Sequence, residues 1–205
     1  MPTKATHVYQ FKITLKEISP LIWRRIQVPD TYTFWDLHVA IQDAMGWLDY
    51  HLHQFTLFNP KTGERDCIGI PDDDEWDPDI TTLAGWKIPM VSYFSLQNKE
   101  AEYEYDFGDS WRHKIILESI NPLLPQQIYP VCLAGERACP PEDCGGVWGY
   151  DNLLKILKNS KHEEYIDTKM WVGKEFESEE FNPAEVRFDD PQERWKVAFL
   201  DEVSF

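Results

Sequence analysis

The sequence is short of positive charge. Against 36 Asp and Glu it carries 20 Lys and Arg over 205 residues, a formal charge of −16 at pH 7. Phosphate contacts are made mainly by Lys and Arg, and a field of this sign repels a polyanion, so general nucleic-acid binding is not expected. Docking on an anionic membrane surface is disfavoured for the same reason. Long apolar runs are missing too. Nothing approaches the roughly 18 consecutive apolar residues that span a bilayer, and the N-terminal residues enter a strand-like pattern without the apolar core of a signal peptide. A cytoplasmic protein is expected. Its 4 cysteines are then free thiols or metal ligands rather than disulfides. Internal repeats and low-complexity linkers are also lacking. What remains is rich in rings: 9 Trp, 9 Tyr and 11 Phe, far more than a disordered acidic chain carries.

Periodicity divides the chain. Val8, Gln10, Lys12 and Thr14 interleave with Tyr9, Phe11, Ile13 and Leu15, which predicts a half-buried strand broken at Ser19-Pro20. Leu21 to Val28 reads as a second strand in an antiparallel hairpin. Thr33 then caps a helix, with Asp36 closing a capping box. Phe34, Leu37, Ile41, Ala44 and Met45 form its apolar stripe, and Gly46 suits its C-terminal cap. A third strand follows over 51–58. Strand, strand, helix, strand is the order of a β-grasp-like unit. The run Asp72 to Asp79 reads as a solvated loop without the ligand pattern of a Ca²⁺ loop. Val91–Leu96, Glu102–Phe107 and Trp111–Leu117 read as further strands, the last two joined by a Gly108-Asp109-Ser110 turn. A proline-dominated irregular stretch comes next, then a short helix capped by Asp151 and a final helix opened by Asp190-Pro191. The expected fold is one α+β domain over 1–205 with a mixed, mostly antiparallel sheet. Residues 7–120 supply the sheet, and 121–205 a Cys/Pro-rich loop and C-terminal helices.

Several clusters can carry chemistry. Cys132, Cys139 and Cys144 fall within thirteen positions of irregular chain. Soft thiolates in turns suit Zn²⁺ with a fourth ligand from elsewhere, yet no CxxC spacing is present. Small side chains packing a loop explain the same residues. Cys67, flanked by apolar residues, reads as core. His51 and His53 lie two apart, so on a strand both point to one face, where two imidazoles and an acid can hold a metal. His38 reads as a boundary residue of the helix. Across the 105–113 hairpin, Asp106 or Asp109 can orient His113 as a general base, or else simply build the turn. Asp106-Phe107-Gly108 lacks every other kinase motif, and Gly145-Gly146-Val147-Trp148-Gly149 lacks the Lys and Ser/Thr of a phosphate loop.

Four ordered motifs together carry a resemblance. Leu15 to Arg25 with its Ser19-Pro20-Leu21-Ile22-Trp23-Arg24-Arg25, Trp47 to Phe55, Tyr105 to Trp111 with His113, and Ala138 to Gly146 with Gly149-Tyr150 resemble the Ri-plasmid open-reading-frame-three-like family. The resemblance implies an α+β fold and a mobile-element association, and it brings no catalytic assignment. Two functions stand. One is a binding module whose aromatic surface holds a protein or small ligand. The other is a metal-assisted hydrolase with His51, His53, His113 and Asp106 or Asp109 around an open metal position, walled by Trp23, Trp47 and Trp111.

Overall fold

Alternation in the N-terminal segment produces strand β1 (His7–Leu15), paired antiparallel with β2 (Trp23–Pro29). The computed structural model describes residues 4–71, 81–173 and 175–200, so the acidic run at 72–79 lies outside the described residues. Phe11, Ile13 and Leu15 are buried, as period two requires, but so is Val8, on the other phase. Val8 lies outside the core cluster that holds those three residues, and the one register shift along β1, between Gln10 and Phe11, places the extra residue on the partner strand, at Glu118.

Helix α1 (Phe34–Met45) has the expected ends. Thr33 accepts from the Asp36 amide, Asp36 returns the bond to the Thr33 amide, and Gly46 closes the helix at φ 90°. Strands β3 (His53–Phe58), β4 (Arg65–Gly69) and β5 (Thr82–Ala84) follow, β5 running parallel to β4. Next come β6 (Glu100–Tyr105), β7 (Trp111–Pro122) and β8 (Val131–Glu136). Together they form one mixed sheet in the order β5-β4-β3-β6-β7-β1-β2-β8. Helices α2 (Gly146–Leu157), α3 (Tyr165–Val172) and α4 (Pro191–Phe199) complete the α+β architecture.

Phe34, Leu37, Ile41 and Met45 are buried in the core cluster with Phe11, Phe55 and Ile68 from the strands, as the stripe predicts. The other side of α1 is covered as well. The Trp35 indole donates to the Pro191 carbonyl at 2.9 Å, and Arg194 of α4 pairs with Asp43 at 2.6 Å. This second layer explains a correction. His38 is no boundary residue: it is fully buried, because α4 closes over the face that would otherwise meet water.

Three other segments differ from expectation. Val91–Leu96 is not a strand: a 3₁₀ turn at Met90–Ser92 leads into a loop, and Met90 and Phe94 are buried plugs. The proline-rich stretch contains an edge strand, β8, which pairs with β2. Helix α2 starts five residues before Asp151, at Gly146, behind a Gly145 cap in the left-handed region. The strand-strand-helix-strand order is present, while β3 pairs with β4 and β6, and β6 and β7 stand between it and β1. Among the described residues no helix is long and apolar enough to cross a membrane.

Candidate metal centre

Three loops meet at one end of the sheet: 46–52 after α1, the 106–110 turn between β6 and β7, and the Cys139–Gly145 loop before α2. Local chemistry fixes each. Asp106, at φ 57°, accepts from the Gly108 amide at 2.9 Å through Oδ1, which holds the turn and leaves Oδ2 free of it. Pro140 accepts from the Trp47 indole at 2.9 Å. Glu142 accepts from the Tyr105 hydroxyl at 2.5 Å and from the Leu48 amide at 2.9 Å, so one carboxylate ties all three segments. Asp109 accepts from the Gly145 amide at 3.1 Å.

This bracing brings His51, Asp106 and Asp143 together, with His51 Nε2 and one oxygen of each carboxylate within 4.8 Å of one another. Nε2 stands 3.1 Å from Asp143 Oδ1 and 3.6 Å from Asp106 Oδ2. It is a buried atom, yet it lacks the alignment of a hydrogen bond to either oxygen. The close approach is therefore a convergence of three ligand-type atoms rather than a hydrogen-bonded pair. Asp106 is buried and Asp143 open to solvent, so the cluster has a closed floor and an accessible side. Leu48, Tyr50, Leu52 and Phe107, each exposed, lie on the same loops.

The other candidates go elsewhere. His53 and His113 share the buried face of the sheet, but Tyr103 stands between them, with ring centroids at 6.1 Å and 5.3 Å respectively. Burial drives the His113 imidazole down to about 3, and burial together with the neighbouring His38 holds His53 far below its usual range. Both are neutral core groups at ordinary pH. Asp109 serves the loop, and Trp47 and Trp111 are buried against each other and Tyr105. Trp23, half-buried, lies under Lys12 and Arg25 on the sheet, away from this junction. Among the described residues the three thiols do not form a ligand set within 4.8 Å. Burial raises all three, Cys144 to about 12, with Asp109 adding to the rise there. Cys67 lies in β4, half-buried and free.

Two residues escaped sequence reasoning. Asp143 sits in the Pro-Pro-Glu-Asp-Cys run, where its neighbours drew attention to the thiols; its left-handed backbone, φ 57°, turns it toward His51. His38 is the centre of a buried chain of hydrogen bonds. Gln42 Nε2 donates to the Tyr103 hydroxyl at 2.8 Å, which leaves that hydroxyl to donate to His38 Nδ1 at 2.8 Å. His38 Nε2 is then the protonated nitrogen and donates to Asp49 Oδ1 at 2.8 Å.

Gly146 keeps the third loop in place. Its φ is +66°, and a Cβ there would stand 2.5 Å from the Asp109 carbonyl oxygen. Gly146→Ala is expected to cost roughly 2 kcal/mol or more, since both the backbone conformation and the contact oppose it. Thermal denaturation should show Tm lower by about 4–8 °C for a chain of this size.

The profile of the family described as "Plasmid pRiA4b ORF-3-like protein" matches residues 7–185. The chain belongs to that family. The pRiA4b ORF-3-like region thus includes the sheet and all three loops of the His51–Asp106–Asp143 cluster, and it stops before α4. An uncharacterized protein of Sinorhizobium fredii, y4hQ, is 33% identical over 199 residues, covering 92% of this chain and 94% of its own. The crystal structure of MM3350 from Methanosarcina mazei Go1, a protein of unknown function, is similar with a TM-score of 0.83 and 51% identity. It covers 90% of this chain and 100% of that one. These relatives bring the fold and the family to the chain, and no activity.

Proposed function

We propose that the protein is a metal-dependent binding module. A divalent cation on His51 Nε2, Asp106 and Asp143 takes an oxygen of a protein or small-molecule ligand, whose apolar part lies on Leu48, Tyr50, Leu52 and Phe107. The observation that carries this reading is the buried Nε2 with carboxylate oxygens at 3.1 and 3.6 Å and no aligned hydrogen bond. Ligand atoms about 2.0–2.2 Å from a tetrahedral zinc ion stand about 3.3–3.6 Å apart, which the two separations bracket. One imidazole and two carboxylates suit Zn²⁺ or Mn²⁺ rather than a soft monovalent ion. Three protein ligands leave a position open for the incoming oxygen.

Zinc titration of tag-free protein by calorimetry tests the site. One equivalent should bind, His51→Ala and Asp143→Asn should each weaken it about 10-fold or more, and a Cys139→Ser/Cys144→Ser variant should bind as the wild type does. Loss with the cysteine variant and retention with His51→Ala would move the metal to the thiols and overturn the reading. Metal-assisted hydrolysis at the same open position is the second reading, since a metal-bound water there is a nucleophile at neutral pH. Zinc-dependent turnover of p-nitrophenyl esters that disappears in His51→Ala would favour it over binding alone.

A further inference from the structure

A second feature stands apart from the metal cluster. Two arginines are buried among the described residues, and they are treated differently. Arg137, 7% exposed, meets Glu179 through both Nε and Nη2, a fork-to-fork pair that neutralises it. Arg24, 1% exposed, has no carboxylate partner among the described residues. Its Nε donates to the Ala44 carbonyl at 2.8 Å, and Nη1 donates to the carbonyls of Trp23 and Glu136 at 2.9 and 3.0 Å. Nη2 makes no hydrogen bond to any described residue, and the Phe181 ring covers the guanidinium at 3.6 Å. Nη2 is therefore the one guanidinium nitrogen of Arg24 still open to solvent or to a ligand, and an anion there would neutralise a charge that the rest of the site does not pair.

Arg24 lines a cavity of about 730 Å³ between the end of α1, the Cys139–Glu142 loop and the segment after α3. That volume falls within the span of small-molecule sites, about 300–1,000 Å³. The walls are mostly apolar, with Met45, Trp47, Trp171, Val172, Phe181 and Val186 among them. Two of the acids that line it are already engaged: Asp43 by Arg194, and Glu142 by Tyr105 and the Leu48 amide. Glu180 and Glu185 are exposed, at the mouth, and outnumber the exposed Arg187 that lines it too, so the entrance stays acidic and opposes any multiply charged anion. One buried cation, an apolar volume and an acidic entrance select a single negative charge on an apolar body.

We propose that this cavity binds a small organic monocarboxylate, its carboxylate on Arg24 Nη2 and its hydrocarbon part along the Trp47, Val172 and Val186 walls. The burial that pushes the Arg24 guanidinium down from its usual range is relieved by the bound anion.

The probe is octanoate, with octan-1-ol as its uncharged counterpart, added to metal-free protein in EDTA so that the His51 cluster cannot hold the carboxylate. Binding is read from intrinsic tryptophan fluorescence, since Trp47 and Trp171 line the cavity. Saturable octanoate binding is expected, with octan-1-ol at least about tenfold weaker, the difference one charge-assisted hydrogen bond makes. Arg24→Met strips three backbone carbonyls of their donor and is apt to misfold, so Val186→Trp, which fills the cavity from its wall, is the working variant. It should abolish octanoate binding while its circular dichroism stays that of the wild type. Equal binding of octan-1-ol, undiminished octanoate binding in Val186→Trp, or no saturable octanoate binding would each overturn the proposal. None of these outcomes bears on zinc at His51, which is measured separately.

Discussion

Ile41→Asp should abolish cooperative folding. Ile41 is fully buried in the middle of α1, and the apolar cluster around it includes residues from seven strands and from the loop after β5. The substitution removes an aliphatic side chain, about 2–5 kcal/mol by cavity formation alone, and adds the desolvation of a carboxyl group. The sum is comparable to the entire stability of about 5–15 kcal/mol that a domain has. The expected result is no sigmoidal unfolding transition and an expanded hydrodynamic radius by size-exclusion chromatography. A variant that melts within a few degrees of wild type would show that α1 does not pack as described.

Lowering the pH from 7 to 5 should destabilise the fold through its buried imidazoles. His113 has a folded-state value near 3, set first by burial and only partly offset by hydrogen bonds with the Tyr103 and Trp111 backbone. In the unfolded chain it titrates near 6.5. The folded value is depressed, so keeping the ring neutral costs nothing above pH 6.5 and progressively more below it. The stability is lost as pH falls from about 6.5 toward 3. Between pH 7 and 5 the loss is about 2 kcal/mol for this one residue, or about 4–8 °C in Tm. His53, shifted in the same direction, adds to it. The measurement is Tm at pH 7 and pH 5 for the wild type and for His113→Leu. The difference between the two pH values should shrink by about that amount in the variant. An unchanged difference would mean that His113 is protonated inside the fold, against its surroundings.

Much of the fold could be read from the chain because its signals are local. Thr33, Asp36 and Gly46 mark both ends of α1 by hydrogen bonds within one turn, and Asp190-Pro191 marks the start of α4 the same way. Val91–Leu96 misled because a short apolar run carries no period of its own: Met90 and Phe94 are buried by a 3₁₀ turn as effectively as by a strand. Strand β8 was masked by prolines that flank rather than interrupt it. At the site, His51 and Asp106 were legible as types in suggestive places. Asp143 was not, because its role depends on a left-handed backbone and on a loop braced by Glu142 from elsewhere in the fold. His38 was hidden for a related reason. Its partners Asp49 and Tyr103 come from a loop and a strand, and the helix that buries it comes from the far end of the chain.

The sheet order has a consequence for how the molecule is made. Strand β1 is translated well before β7, yet its longest pairing is with β7, from Leu15 opposite His113 to His7 opposite Pro122. A separation of roughly a hundred residues means that the β1–β2 hairpin waits for β7 on one edge, and longer still for β8 on the other, with both edges open. At about 5–20 residues per second that wait lasts on the order of 5–20 seconds. During it the apolar face of Phe11, Ile13 and Leu15 lacks the β7 residues that stand opposite it, Leu117, Ile115 and His113. Chains cut short before residue 111 keep the hairpin, the helix and His51, and lack the strand that joins them to the rest of the sheet. Such fragments should collect on chaperones and in aggregates, and the protein should depend on holdase capacity in proportion to how slowly the chain between β1 and β7 is translated.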